Sequence, residues 1–272
     1  MHRYIIKRLL FLIPTVLGVT LIIYIVMNIT PGNPGRMILG PNATAAEVEV
    51  MNDELGYNDP VLVRWFNYLK NIITEGDFGE SYSTKLNVLD ELWPRFLITL
   101  RLAILVLVLS VCIGVPLGIL SAVKQNSLLD TIPTMIAFFL AAVPSFVVGI
   151  LLMYVFALKL GWFPSFGLKS VKHYVLPVIA ATICELSAYL RFTKSSMLES
   201  IRQDYVRTAR AKGLSEHVVI YKHAFRNTLI PLVTIIGGSL PGLFSGALIT
   251  ATLFSIPGIG YVSYQAMVAG DI

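Results

Sequence analysis

The stretch Phe96-Leu-Ile-Thr-Leu-Arg-Leu-Ala-Ile-Leu-Val-Leu-Val-Leu-Ser-Val-Cys-Ile-Gly-Val-Pro-Leu-Gly-Ile-Leu-Ser-Ala-Val123 carries a single charged side chain, Arg101. A helix rises about 1.5 Å per residue, so roughly 20 apolar residues cross a hydrocarbon core of about 30 Å. Strands of a membrane barrel would alternate apolar and polar groups over about ten residues. This stretch does not alternate, so it predicts a membrane-spanning helix. Four further runs qualify, at 9–29, 132–158, 175–190 and 229–253. The expected fold is an all-α, polytopic membrane helix bundle with five spans.

Composition agrees. Of 272 residues, 56% are hydrophobic and 14% charged, with a mean hydropathy of +0.74. Soluble domains carry about 25% charged residues. One soluble core could not hide so much apolar surface, which excludes a conventional soluble enzyme and a disordered chain. The first run follows Arg3, Lys7 and Arg8 as a signal peptide would. It is longer than the roughly 7–15 residues of a signal's apolar region, and no small-residue cleavage site follows. Residues 1–30 therefore read as a retained transmembrane helix.

Segment 31–94 holds four Lys/Arg against ten Asp/Glu, and segment 191–226 holds eight against three. By the positive-inside rule the amino terminus and the 191–226 segment face the cytoplasm, and the acidic segment faces outward. Lys159, Lys169 and Lys172 oppose this assignment, and the two longer asymmetries outweigh them. The outward segment, 31–95, contains Trp65, Phe66, Tyr68, Leu69, Ile72 and Ile73. Helical spacing over 60–73 predicts a small external cap of short helices. Residues 96–272 form the remaining core.

Prolines at 116, 133, 144, 177 and 231 read either as ordinary kinks or as hinges. Gly114 and Gly118, and Ala141 and Ser145, place small groups four apart, which allows close helix packing. Cys112 and Cys184 lie in apolar runs and read as small buried hydrophobes.

Chemical motifs are scarce. No nucleotide-binding glycine loop and no H-E-x-x-H occurs, and His217 and His223 stand six apart, off one helical face. Ser121-Ala-Val-Lys124 matches a hydrolase nucleophile pattern but closes a span, where Lys124 reads more simply as an interfacial anchor. Glu185 lies inside the fourth run. Ionisable groups at membrane depth are costly and face protein or a water-filled cavity. It reads either as an interfacial carboxylate bonded to a neighbouring helix or, with Ser145, as lining a solute path.

The most informative segment is Asp204-Tyr-Val-Arg-Thr-Ala-Arg-Ala-Lys-Gly213-Leu-Ser-Glu-His-Val-Val-Ile-Tyr-Lys-His-Ala-Phe-Arg-Asn-Thr-Leu-Ile-Pro231. Residues 199–212 predict a helix, Gly213 its left-handed end, and Ser215 the cap of a second helix. Val218, Val219, Tyr221, Ala224 and Phe225 give that second helix an apolar side. On these residues alone, the segment is an amphipathic hairpin at an anionic lipid surface.

The segment also resembles the cytoplasmic signature loop of ABC importer permeases, the E-A-A-x-x-x-G motif, in the form typical of the dipeptide/oligopeptide branch. Thr30-Pro-Gly-Asn-Pro34, Leu39-Gly-Pro-Asn-Ala43, Gly76-Asp-Phe-Gly79 and Phe254-Ser-Ile-Pro-Gly-Ile-Gly260 extend the likeness over the whole chain. The chain departs from the family in three ways. Arg207 and Thr208 replace the motif's Glu and Ala. Ala251 stands where relatives often carry glutamate. The family's sixth span would follow Ile272.

The resemblance implies a non-catalytic permease of a prokaryotic plasma membrane that imports di- or oligopeptides, with nickel chelates or glutathione as alternatives. The chain itself would hold no cofactor, since ATP and Mg belong to partner ATPases. Implied partners are a homologous second permease, two ABC ATPase subunits, an external solute-binding protein and lipid, with no nucleic acid. The coupling loop would span 192–226, with Tyr205, Arg207, Thr208, Ala209, Arg210, Lys212, Gly213 and Leu214 at the ATPase contact. A non-transporting scaffold or a channel would share the helices but has no need of that loop.

Overall fold

The computed structural model describes residues 2–29 and 32–269, among which every regular element is a helix. The chain divides into two compact units, residues 1–94 with 263–272, and residues 95–262.

In the first unit, α1 (His2–Ile29) is the long apolar helix expected from the first run. Three short helices follow, α2 (Pro34–Leu39), α3 (Ala45–Glu54) and α4 (Val61–Glu75). Thr44 and Glu47 cap α3 reciprocally: the Thr44 N–H donates to Glu47 Oε2 at 2.8 Å, and the Glu47 N–H donates to Thr44 Oγ1 at 3.3 Å. Asn52 is buried beneath α2 and accepts the Gly35 N–H at 3.0 Å. The helix expected over 60–73 is α4.

The second unit is built around three long helices. They are α5 (Val88–Val123, which starts in the first unit), α8 (Lys172–Ile201) and α11 (Phe225–Leu253). Between α5 and α8 lie α6 (Leu128–Ala142) and α7 (Ser145–Leu152), the latter continued by a π-helical turn, Met153–Lys159. Between α8 and α11 lie α9 (Asp204–Ala211) and α10 (Glu216–Val218), the latter continued by a second π turn, Val219–Ala224. The last helix is α12 (Ile259–Ala269).

The run at 132–158, expected as one span, is instead a bent pair: α6 and α7 meet at 99°. Val143 is extended (φ −92°, ψ 124°), the conformation that the ring of Pro144 favours in the residue before it. Among the described residues, four helices are long and apolar enough to span a membrane, or five spans are present if the bent pair counts as one. The fourth run is also longer than its apolar stretch, since α8 continues through Arg191 and Lys194 to Ile201. The helix expected over 199–212 breaks at Arg202–Gln203 into α8 and α9.

Helices α5 and α8 approach closely at Gly114 and Gly118. A methyl group at Gly118 would stand 2.7 Å from the Leu190 carbonyl oxygen and 2.6 Å from Thr193 Cβ. Small residues allow this backbone-to-backbone packing, which replaces the hydrophobic drive absent in lipid. Two apolar clusters are built on the same three long helices. Val115, Ile119, Ala122, Met197 and Leu232 belong to one, and Leu102, Val106, Leu176, Leu243 and Ala251 to the other. A third tie joins α6 to α8: Lys194 Nζ lies 2.5 Å from Asp130 Oδ1 and donates to Thr134 Oγ1 at 3.2 Å.

Gly118→Leu must push α5 from α8, and overpacking of this kind costs about 1–3 kcal/mol. We expect a lowered thermal midpoint for this variant in detergent. Gly18→Ala, whose added carbon meets nothing within 4 Å, should leave the midpoint unchanged or higher.

Candidate coupling segment and cavity

Helix α9 is held by two of its own residues. Val206 is fully buried and Ala209 is 4% exposed, and both belong to the apolar cluster that includes Val219, Ile220 and Ala224 of the second π turn and Met197 of α8. Tyr205, Arg207, Thr208, Arg210, Lys212, Gly213 and Leu214 are all exposed. Of the residues expected at the ATPase contact, Ala209 is therefore turned inward and anchors the others. Asp204 sits 3.6 Å from Arg207 across the first turn, and its carbonyl accepts from Thr208 Oγ1 at 2.9 Å.

Gly213 takes φ +75°, the left-handed end read from the sequence. Ser215 occupies the cap position before α10, but its side chain makes no cap hydrogen bond. Arg210 reaches across the turn instead, its Nε donating to Glu216 Oε1 at 2.7 Å and its Nη2 to Oε2 at 3.3 Å. This forked contact holds the Glu216 carboxyl below the ordinary carboxylate range. Of the apolar side predicted for the second helix, Val219 and Ala224 are buried as expected, while Ile220 is buried in place of Tyr221, which is 51% exposed. Both lie in the π turn, whose wider winding departs from the 3.6-residue period.

Farther along the same helices lies a cavity of about 130 Å³. Its lining includes Leu102, Ala103, Ser145, Glu185, Gly242 and Ala251. Glu185 and Ser145, 40 residues apart in the chain, thus share one wall-lined space. Among the described residues lining it, Glu185 is the only carboxylate, and no lysine, arginine or histidine joins it. No hydrogen bond or ion pair among the described residues engages Glu185. The nearby cations are occupied elsewhere: Arg191 Nε donates to the Ser187 carbonyl and its guanidinium sits over Phe138, while Lys194 is paired with Asp130. Ala251 lines the same cavity.

From Leu102 to Ile119 on α5 is 17 residues, or about 25 Å of helix. The cavity and the α9 platform are therefore two ends of one set of rods. Sequence reading missed the Asp130–Lys194 pair. Its only signal was a charge at the start of one apolar run and another just past the end of the next.

Residues 114–272 match the family described as binding-protein-dependent transport system inner membrane component, and residues 1–103 match its N-terminal family. The chain is 37% identical to the dipeptide transport system permease protein DppB of Alkalihalophilus pseudofirmus, over 98% of this chain and 88% of that one. It is 38% identical to the glutathione transport system permease protein GsiC of Escherichia coli (strain K12), over 96% and 85%. Among solved structures it is similar in fold to an inward-facing MetNI methionine ABC transporter, at a TM-score of 0.56 and 19% identity, over 65% of this chain and 81% of that one. The helices, the α9 segment and these matches agree, and the chain belongs to the dipeptide/oligopeptide family of ABC importer permeases.

Proposed function

We propose that this permease carries di- or oligopeptides across a prokaryotic plasma membrane, driven by separate ABC ATPase subunits that grip α9. The observation that carries this reading is the mounting of α9. Its basic, exposed face rests on buried Val206 and Ala209, which sit on the helices that line the cavity farther along. Val206 and Ala209 share one apolar cluster with Met197 of α8, Ile119 of α5 and Leu232 of α11, so a push on α9 passes through that cluster to all three rods. Access to the cavity then changes as the rods tilt. Such coupling works only to the extent that ATP binding favours one bundle state over the other.

In this reading the amino terminus and α9 face the cytoplasm, and the 31–95 segment meets an external solute-binding protein. A homologous permease packs on α11, where Ile230 and Val233 are exposed and Gly237 and Gly238 face open space. Ser145 and Glu185 line the solute path. The likeness to GsiC makes glutathione the second candidate solute, and a nickel chelate the third.

The deciding experiment is ATP-dependent uptake of labelled dipeptides, longer peptides and glutathione into vesicles carrying the permease pair, the ATPases and the binding protein. Uptake of peptides above glutathione supports the reading, and the reverse order transfers it to glutathione. Gly213→Val forces a β-branched residue into the left-handed region at a cost of about 1–2 kcal/mol. It should abolish uptake while leaving membrane insertion intact, as checked by membrane fractionation. Glu185→Gln removes the cavity's carboxylate. A hydrogen bond to a charged group is worth about 1.5–3 kcal/mol, so uptake should fall roughly tenfold or more. ATPase assembly, read by co-purification, should be unchanged.

A further inference from the structure

Helix α4 is bounded by Pro60 at its start and by Gly76, in the left-handed conformation, at its end. It packs against the last third of α1. Trp65 Nε1 donates to Thr20 Oγ1 at 3.4 Å, and the Tyr68 and Tyr24 rings lie 6.2 Å apart. Arg64 Nη1 donates to Asn28 Oδ1 at 2.8 Å and to the Tyr57 carbonyl at 2.9 Å. On α1 the partly covered positions are Thr20, Leu21, Tyr24, Met27 and Asn28, one helical stripe. Thr20 stands nine residues before Ile29, about 13 Å down the helix axis. The α4 face that touches α1 therefore reaches well below the end of a membrane-spanning helix.

The rest of α4 has a mainly apolar and a mainly polar side, with Val63, 46% exposed, an apolar residue on the polar side. Leu62, Phe66, Leu69 and Ile73 recur at helical spacing and form a stripe adjoining the α1 contact. Leu62 is 62% exposed, Phe66 64% and Ile73 78%. Asn67, Lys70, Asn71 and Thr74 occupy the opposite side and are all exposed. At 15 residues, or about 22 Å, α4 is too short to cross a hydrocarbon core of about 30 Å. Its depth beside α1, its length and its split surface fit one position: lying in the plane of the interface, with the apolar side in acyl chains.

We propose that α4 is an interfacial membrane helix, with Leu62, Phe66, Leu69 and Ile73 buried in the leaflet where the Asn28 end of α1 emerges. The occupant of the stripe is lipid, because the stripe is continuous with the apolar surface of α1, which is itself exposed at Ile22, Ile23 and Val26. The segment between the first two long helices is then a membrane-seated platform. Arg64, bonded to Asn28 and stacked over Tyr57 with its guanidinium 4.4 Å from the ring centre, locks the turn before α4 to the end of α1. The inference is independent of which way the chain crosses the membrane and of what it transports.

The test uses the full chain with Cys112→Ser and Cys184→Ala, reconstituted in phosphatidylethanolamine–phosphatidylglycerol vesicles. Nitroxide labels are attached singly through Leu62→Cys, Phe66→Cys, Ile73→Cys, Asn67→Cys and Asn71→Cys, all at exposed sites. Collision with oxygen, which concentrates in lipid, is compared with collision with a water-soluble nickel chelate. The oxygen-to-nickel ratio should be several-fold higher at 62, 66 and 73 than at 67 and 71. Equal ratios on both faces would place α4 in water and overturn the proposal. Labels at 66 and 73 shielded from both reagents would mean that protein covers the stripe, whether a second permease or a soluble partner, and would overturn it equally.

Discussion

The close approach of α5 and α8 at Gly114 and Gly118 is the constraint on which the second unit depends. Lipid tails are as apolar as leucine, so burial of apolar groups does not hold spans together as it does in water. What holds them is contact between backbones, and contact requires that the side chains in between be absent. At Gly118 even one carbon would lie within 2.7 Å of the Leu190 carbonyl oxygen. With these two helices locked, the cluster beneath α9 and the cluster around the cavity are carried by the same rods.

Polar groups tie the remaining elements to that frame. The half-buried Lys194 and the buried Asp130 form an ion pair, supported by Thr134, between α6 and α8. Removing either partner would leave a charge without its counterion in a poorly solvated place, so the pair favours one arrangement of the two helices over others. The Pro144 break lets α7 turn by 99° from α6 and brings Ser145 to the cavity. At the start of α12, the Ile259 N–H donates to Thr99 Oγ1 at 3.0 Å, so the loop after Leu253 is fastened to α5.

Glu185 is exceptional within this arrangement. Arg191 and Lys194 are engaged elsewhere, and among the described residues no hydrogen bond or ion pair engages Glu185. A carboxylate without a partner at membrane depth is unstable unless a cavity hydrates it or a visiting solute pairs with it. The α9 platform is the opposite case, a basic surface exposed to solvent but fixed from below by Val206 and Ala209. An unpaired carboxylate in a cavity at one end of the rods, and a rigid basic helix at the other, suit a permease that receives mechanical work from outside itself.

The membrane class, the positions of the apolar runs, the left-handed turn at Gly213 and the α4 helix were legible in the sequence. Each follows from local rules: the length of an apolar run, the freedom of glycine at positive φ, the 3.6-residue period. The 99° bend was half legible, because Pro144 was visible but the choice between a kink and a break depends on what packs on either side. Ser215 looked like a cap because residue type favours it, yet Glu216 found Arg210 instead, a contact decided by how the turn at Gly213 folds back. Tyr221 and Ile220 exchanged roles because a π turn adds a residue that no period analysis anticipates. The pairing of Asp130 with Lys194, 64 residues away, and the meeting of Ser145 with Glu185 at one cavity were beyond sequence reading altogether. Local sequence determines where helices begin and end; which residues from distant helices meet is determined by rotation and crossing, and those are settled only when the helices pack.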